Sequence, residues 1–342
     1  MLRICSALTL WTSLFLLCFA APITRPEVTL VERSLVERSQ SGPKIGGANF
    51  PDPAVIQVSS TWYAFATRTS GGSTNIQVAS SPDFNTWTLV KNSDGSQKDA
   101  LPNLPAWVNA ASSNTWAPDV VELTDGSFVM YYAATTKSDT AKHCVGAATA
   151  SSVTGPYTPV GSSALICPLA QGGAIDAAGF YDNGKRYIVY KVDGSSIGHG
   201  GACNNDVAPY IPTPLILQPV GSDGVTLQGS ATTILNHNGA SDQGNLEAPS
   251  LTKVGSTYVL FFSSGCFVGS QYTVSYATST SITGGYKRAA LPLFATGVNG
   301  LSAPGGADIF RDGKHMLFHA NSGGGRALYT AEVTISGTKV TV

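Results

Sequence analysis

The stretch Ile175-Asp176-Ala177-Ala178-Gly179-Phe180-Tyr181-Asp182-Asn183-Gly184-Lys185-Arg186-Tyr187-Ile188-Val189-Tyr190-Lys191 decides the reading of this chain. An acid opens a short apolar run, Asp182-Asn183-Gly184 breaks it, and a second apolar run with Tyr187 and Tyr190 returns. Asn-Gly supplies the left-handed backbone that a tight hairpin needs, and aromatics on both sides suit half-buried strands. The chain then repeats the pattern.

Asp52-Pro53-Ala54-Val55-Ile56 leads through Ser59-Ser60 into Trp62-Tyr63-Ala64-Phe65. Ala117-Pro118-Asp119 leads through Asp125-Gly126 into Phe128-Val129-Met130-Tyr131-Tyr132, and Glu247-Ala248-Pro249 through Gly255-Ser256 into Tyr258-Val259-Leu260-Phe261-Phe262. A fifth copy runs from Pro304-Gly305-Gly306-Ala307-Asp308 through Asp312-Gly313 into Met316-Leu317-Phe318-His319. The acidic openers stand at 52, 119, 176 and 247, in steps of 67, 57 and 71 residues. Further short strands follow each copy, as at Ile76 to Ser80 and Thr273 to Ala277. A unit of roughly 60 residues with about four strands and no helix is a propeller blade. Five units fill the chain from Lys44 to Val342, so the expected fold is all-β, a five-bladed β-propeller. The innermost strands of a propeller line one channel, so acids at their starts would converge on its mouth.

Composition agrees. Of 342 residues, 43% are apolar and 12% charged, and 37 are glycine, which suits a turn-rich folded chain. Residues 1–21 carry Arg3, an apolar run from Leu8 to Phe19 and then Ala20-Ala21, the pattern of a secretory signal peptide. Residues 22–43 hold the doublet Leu30-Val31-Glu32-Arg33-Ser34 and Leu35-Val36-Glu37-Arg38-Ser39 and read as a pro-segment or flexible arm. Residues 1–43 contain four basic and three acidic residues, which leaves 16 against 18 in the propeller. With no basic patch, neither nucleic acid nor membrane is an expected partner. A secreted, extracellular monomer acting on a neutral ligand is the expectation.

Cys144, Cys167, Cys203 and Cys266 remain after the signal peptide, and four cysteines in a secreted chain suggest disulfides. Three pairings are possible. Cys144–Cys167 is favoured because both are expected on neighbouring strands, which leaves Cys203–Cys266. No C-x-x-C pair is present, which argues against zinc.

Only three glutamates follow residue 43: Glu122, Glu247 and Glu332. Glu247 opens a blade where three others have aspartate. A narrow funnel crowded with carboxyls favours the protonated form that a general acid needs, and Asp52 across it serves as an ionised base. One acid and one base across a sugar ring, with room for water, are the requirements of inverting glycoside hydrolysis. The plain alternative is that these acids cap strand starts by accepting backbone N–H groups.

Phe50-Pro51-Asp52-Pro53, Trp116-Ala117-Pro118-Asp119, Ile175-Asp176 before Asp182-Asn183-Gly184, and Leu246-Glu247-Ala248-Pro249 together resemble glycoside hydrolase family 43. The resemblance implies a five-bladed propeller that hydrolyses arabinose- and xylose-containing plant polysaccharides with inversion. It makes Asp52 the general base, Asp176 the carboxylate that tunes and orients the acid, and Glu247 the general acid. Asp119 matches a position that is structural in the family. Phe50 and Trp116 are expected to wall the sugar pocket, with core packing as the alternative for each. Arg326 resembles an arginine near the sugar and the modulating acid.

One departure matters. Family members often carry Gly-Pro-Gly-His at the start of blade five, where the histidine helps to hold a central calcium. This chain has Ala303-Pro304-Gly305-Gly306. Gly306 in the histidine's place argues against a calcium, so no cofactor is expected, and it argues against an endo-arabinanase. His319, at the end of the following strand, is a partial substitute and a candidate to touch substrate, with a packed strand-end histidine as the alternative. His143, His199 and His237 are read as loop residues.

The leading expectation is therefore an exo-acting α-L-arabinofuranosidase, with endo-1,5-α-L-arabinanase or β-xylosidase of the same family as alternatives. A non-catalytic sugar-binding propeller is the alternative of another class, which the set Asp52, Asp176 and Glu247 speaks against. A fructan-cleaving relative would need Asn-Asp-Pro-Asn, which Phe50-Pro51-Asp52-Pro53 lacks.

Overall fold

Five four-stranded antiparallel sheets follow one another along the chain in a computed structural model that describes residues 40–342. The chain enters with β1 (Gln40–Ser41). Blade I is β2 (Ala54–Val58), β3 (Thr61–Ala66), β4 (Gln77–Ser81) and β5 (Thr88–Leu89). Blade II is β6 (Trp116–Glu122), β7 (Phe128–Thr135), β8 (His143–Ala150) and β9 (Thr158–Pro159). Blade III is β10 (Ala174–Asp182), β11 (Lys185–Val192), β12 (Leu215–Val220) and β13 (Thr232–Leu235). Blade IV is β14 (Leu246–Val254), β15 (Thr257–Ser264), β16 (Thr273–Ser279) and β17 (Lys287–Arg288). Blade V is β18 (Gly305–Ile309), β19 (His315–Ser322) and β20 (Gly325–Glu332), with β1 as its outermost strand. A last hairpin, β21 (Thr334–Ser336) and β22 (Lys339–Thr341), follows. The five-bladed propeller expected from the repeat is the fold.

The ring closes through the two ends of the chain, since Gln40 pairs with Ala331 and Ser41 with Thr330. The propeller therefore begins at Gln40 rather than at Lys44, and only residues 22–39 of the expected arm, with the expected signal peptide, lie outside the described residues. An outer strand borrowed from the far end of the sequence ties the ring shut and covers the edge that β20 would otherwise leave open.

The apolar core lies between neighbouring blades. Along β11, Ile188 and Tyr190 pack toward blade II with Val129 and Tyr131, whereas Val189 between them packs toward blade IV with Leu260 and Phe262. The same period-2 division puts Phe65 and Met130 between blades I and II, and Trp62 and Leu317 between V and I. Both faces of each sheet are thus buried, which is why the strands read as near-continuous apolar runs.

Cys144 bonds Cys167, and Cys203 bonds Cys266. Cys144 is in β8, but Cys167 lies outside the strands. Its neighbour Ile166 bridges Val145, which brings the pair together. His143, expected in a loop, opens β8 and is buried.

Candidate active site

A β-bulge opens the innermost strand of blades II to V. The pairing shifts between Trp116 and Asp119, Ile175 and Ala178, Glu247 and Ser250, and Gly305 and Asp308. Within each shift sits a left-handed residue: Ala117 (φ 40), Asp176 (φ 58), Ala248 (φ 49) and Gly306 (φ 54). Asp52 (φ 53) takes that place just ahead of β2. Left-handed backbone costs a non-glycine residue on the order of 1 kcal/mol, and its recurrence at one channel end marks a site where side chains are re-aimed.

The bulges put the acids in three layers rather than one ring. Asp52 and Asp176 occupy the left-handed position itself. Glu247 precedes it by one residue, and Asp119 and Asp308 follow it by two. The acids of the lowest layer bind backbone: Asp119 Oδ2 accepts from the Gly179 N–H (2.7 Å), and Asp308 Oδ2 from the Val55 N–H (2.7 Å). Burial, and then the neighbouring Asp308, push the Asp119 carboxyl well above the usual range. These two clamp blade II to III and V to I. For them the capping reading holds.

Asp52 is gripped on both oxygens. Thr67 Oγ1 donates to Oδ2 (2.6 Å) and the Arg326 guanidinium to Oδ1 (2.9 Å). Burial would raise this carboxyl, but Arg326 and Thr67 more than offset it and hold the group below the usual value. Asp52 is therefore ionised at neutral pH. Arg326, expected beside the modulating acid, pairs with Asp52 instead.

Asp176 Oδ2 accepts from the Ala248 N–H (2.9 Å), the residue next to Glu247. Burial, and then the Glu247 charge, push Asp176 up to about 8 against the opposing pull of Lys191. It is protonated at neutral pH.

Glu247 Oε1 accepts from the Tyr272 hydroxyl (2.7 Å) and Oε2 from the Lys191 ammonium (3.0 Å). Lys191 is only 2% exposed and also lies 3.2 Å from Asp193. Burial works against its charge, but Glu247 and Asp193 keep it protonated. Tyr272 is raised well above its ordinary value by burial and the Glu247 charge, so it remains a donor. Asp52 and Asp176 line one cavity of about 40 Å³ in the channel, and charge on either Glu247 or Asp52 is felt at Asp176. The three expected carboxyls thus converge on one mouth.

His319 does not reach a substrate. It is 0% exposed, and its Nδ1 accepts from the Asp52 N–H (3.1 Å), so it positions the base. Burial, with Arg326 beside it, pushes it down to about 3, which makes it neutral. With Nδ1 accepting, the ring proton is on Nε2, which has no hydrogen-bond partner. A protonated nitrogen is no metal ligand, and calcium prefers a cage of oxygens. Among the described residues, the side chains close enough to share a metal are Cys203, Asp206 and Cys266, and the two sulfurs are bonded to each other. This donor set does not fit a central calcium.

Phe50, expected in the pocket wall, is 0% exposed and packs with Val55, Ala64 and Leu328 in the core. Trp116 is half-buried at the start of β6, its ring stacked 3.7 Å from the buried His143.

Lys191, Thr67 and Tyr272 were not foreseen. Lys191 ends the apolar run Tyr187-Ile188-Val189-Tyr190-Lys191, and a lysine closing such a run is the signal that was there to read. It pairs with Ile175 across the hairpin, and His319 pairs with Gly305 at the equivalent place in blade V.

A family model described as Glycosyl hydrolases family 43 matches residues 45–339. The extracellular endo-α-(1→5)-L-arabinanase of Thermotoga petrophila is 30% identical over 113 residues, 31% of this chain and 22% of that protein. The extracellular endo-α-(1→5)-L-arabinanase 2 of Bacillus subtilis is 25% identical over 203 residues, 53% of this chain and 40% of that one. The matches therefore span less than half the length of these relatives. A thermostable family-43 glycoside hydrolase of known structure shares the fold with a TM-score of 0.72 at 22% identity, over 88% of this chain and 95% of that one.

Proposed function

The chain belongs to glycosyl hydrolase family 43, and from that premise we propose that it hydrolyses arabinosidic bonds of plant arabinan outside the cell, with inversion at the anomeric carbon. The observation that carries this is the different company of two carboxyls at one mouth: Asp52 gripped by Arg326 and Thr67, and Glu247 held between Lys191 and Tyr272 with Asp176 beside it. Asp52 takes a proton from water as that water attacks the anomeric carbon. The Asp176–Glu247 pair holds one proton, and as Glu247 passes it to the departing glycosidic oxygen the C–O bond breaks. Asp176 accepts from the Ala248 N–H and thereby fixes the strand that carries Glu247, and its raised carboxyl keeps at the site the proton that Glu247 delivers. Each step needs only a carboxyl pair and water, and no cofactor is routed through it.

Endo-cleavage has the better support. Gly306 leaves the start of blade V without an imidazole of its own, yet His319 brings one to that same point from the adjacent strand. Both curated relatives carry endo-arabinanase names. Exo-acting α-L-arabinofuranosidase and β-xylosidase become outcomes of the test. The purified protein is incubated with linear arabinan, 4-nitrophenyl arabinofuranoside and 4-nitrophenyl xyloside, and products are followed by chromatography. Short arabino-oligomers are the expected result. Arabinose alone would move the reading to exo-action, xylose to a xylosidase, and no product from any substrate would favour a sugar-binding propeller.

A further inference from the structure

The channel has a second mouth. Asp176 and Asp182 stand at opposite ends of β10, about 20 Å apart at ~3.3 Å per residue. Around Asp182 the far ends of all five innermost strands enclose a cavity of about 460 Å³. Beside it, over the outer part of blade III, lies another of about 440 Å³. Thr124, Tyr181, Arg186 and Tyr187 line both, so the two form one elongated trough.

Tyr181 stands on the ridge between them and is 52% exposed, near the tip of the β10–β11 hairpin. The hairpin is braced. Lys253 Nζ and the Tyr258 hydroxyl both donate to Asp182, which ties blade IV to III. Arg186, the cross-strand partner of Tyr181, lies 4.9 Å from its ring centre and donates to the Glu122 carbonyl in blade II. The groups around the ring are thus already engaged, and what the ridge presents is a rigid, exposed aromatic face. Strand edges and glycines such as Gly184 and Gly229 leave the adjoining floor open to close approach. An aromatic plate over a trough that mixes apolar side chains with Thr124, Ser222, Gln228 and Lys185 suits the C–H faces and hydroxyls of an uncharged sugar chain. A rigid plate loses little entropy on binding.

We propose that this second mouth is a glycan-binding site for an uncharged stretch of the same polysaccharide, held against Tyr181 at the end of the channel opposite the carboxyls. The inference rests on the arabinan reading for the identity of the glycan but not on catalysis. Binding there keeps a long chain near the enzyme between cuts, so the site favours turnover of polymer and leaves turnover of short oligomers as it is.

The test compares the full-length protein with Tyr181→Ala. Migration is measured in native gels containing linear arabinan or arabinoxylan, KM on linear arabinan, and the rate on arabinotriose. Wild type is expected to be retarded, and Tyr181→Ala to lose roughly 2- to 10-fold of that affinity, the worth of one aromatic contact. KM on arabinan should rise by a similar factor while the arabinotriose rate and melting temperature hold. Equal retardation and equal KM for the two proteins would overturn the proposal, as would a wild type that neither polysaccharide retards. Retardation lost in Tyr181→Ala with no hydrolysis of any substrate would sustain this site and sink the catalytic reading instead.

Discussion

Gly306 and His319 share one volume: a Cβ built on Gly306 would stand 2.6 Å from Nδ1 of His319 and 3.1 Å from Oδ1 of Asp52. The residue that looked like the loss of an axial histidine is the gap that another strand's histidine fills. Gly306 also has φ 54, a backbone that side chains resist. Gly306→Ala is therefore expected to push the imidazole off the Asp52 N–H and misplace the base. A displacement of this kind costs on the order of 10²-fold in rate. Steady-state kinetics on arabinan check it, and unchanged kcat would show that His319 does not position Asp52.

Glu247→Gln keeps the shape of the side chain and removes the transferable proton. Activity on arabinan should fall by roughly 10²- to 10⁴-fold with an unchanged circular dichroism spectrum. Activity close to wild type would remove Glu247 from the acid role.

Lys191→Met leaves Glu247 and Asp193 without their shared cation in a buried site. Loss of one partner of a buried pair costs about 3–5 kcal/mol, so the denaturant midpoint should drop sharply and activity with it. Lys191→Arg, which keeps the charge, should recover part of the stability. Urea titrations of both variants decide the matter, and equal midpoints for Lys191→Met and wild type would contradict the geometry.

Asp176 carries a pH signature. Its folded value, about 8, is raised above that of the unfolded chain, so the folded state binds the extra proton. The stabilisation is fully present below the unfolded value near 4 and is lost as pH rises through about 8. Asp176→Asn cannot titrate. Its melting temperature should fall less steeply than wild type between pH 4 and 8, and parallel curves by scanning calorimetry would refute the shift.

Chelation should leave the rate on arabinan unchanged, because His319 has no lone pair to offer a cation: its Nδ1 accepts from the Asp52 N–H and its Nε2 carries the ring proton. The check is activity after EDTA treatment and again after calcium is added back. Inactivation reversed by calcium would mean that the His319 ring adopts the other tautomer.

Much of the site was legible. Asp52, Asp176 and Glu247 were found because each opens a repeat, and opening strands of a propeller converge. What misled was the assumption that like positions in sequence are like positions in space. The bulges shift Glu247 one residue above, and Asp119 and Asp308 two residues below, the layer of Asp52 and Asp176. A one-residue offset in a strand changes the face of every side chain, and a left-handed alanine such as Ala117 or Ala248 leaves no mark in composition. Phe50 was misread for the same reason, since alternation says that an aromatic is inward but not whether inward means core or channel.

By itself the sequence determined the blade count, the antiparallel hairpins and the acids at the strand starts, because turn chemistry and period-2 apolarity are local and repeat. Tertiary structure alone decided the partners. Arg326 reaches Asp52 from 274 residues away, His319 from 267 and Lys191 reaches Glu247 from 56. Closing the ring brings the last blade against the first, and no local pattern records which buried donor will then face which carboxyl.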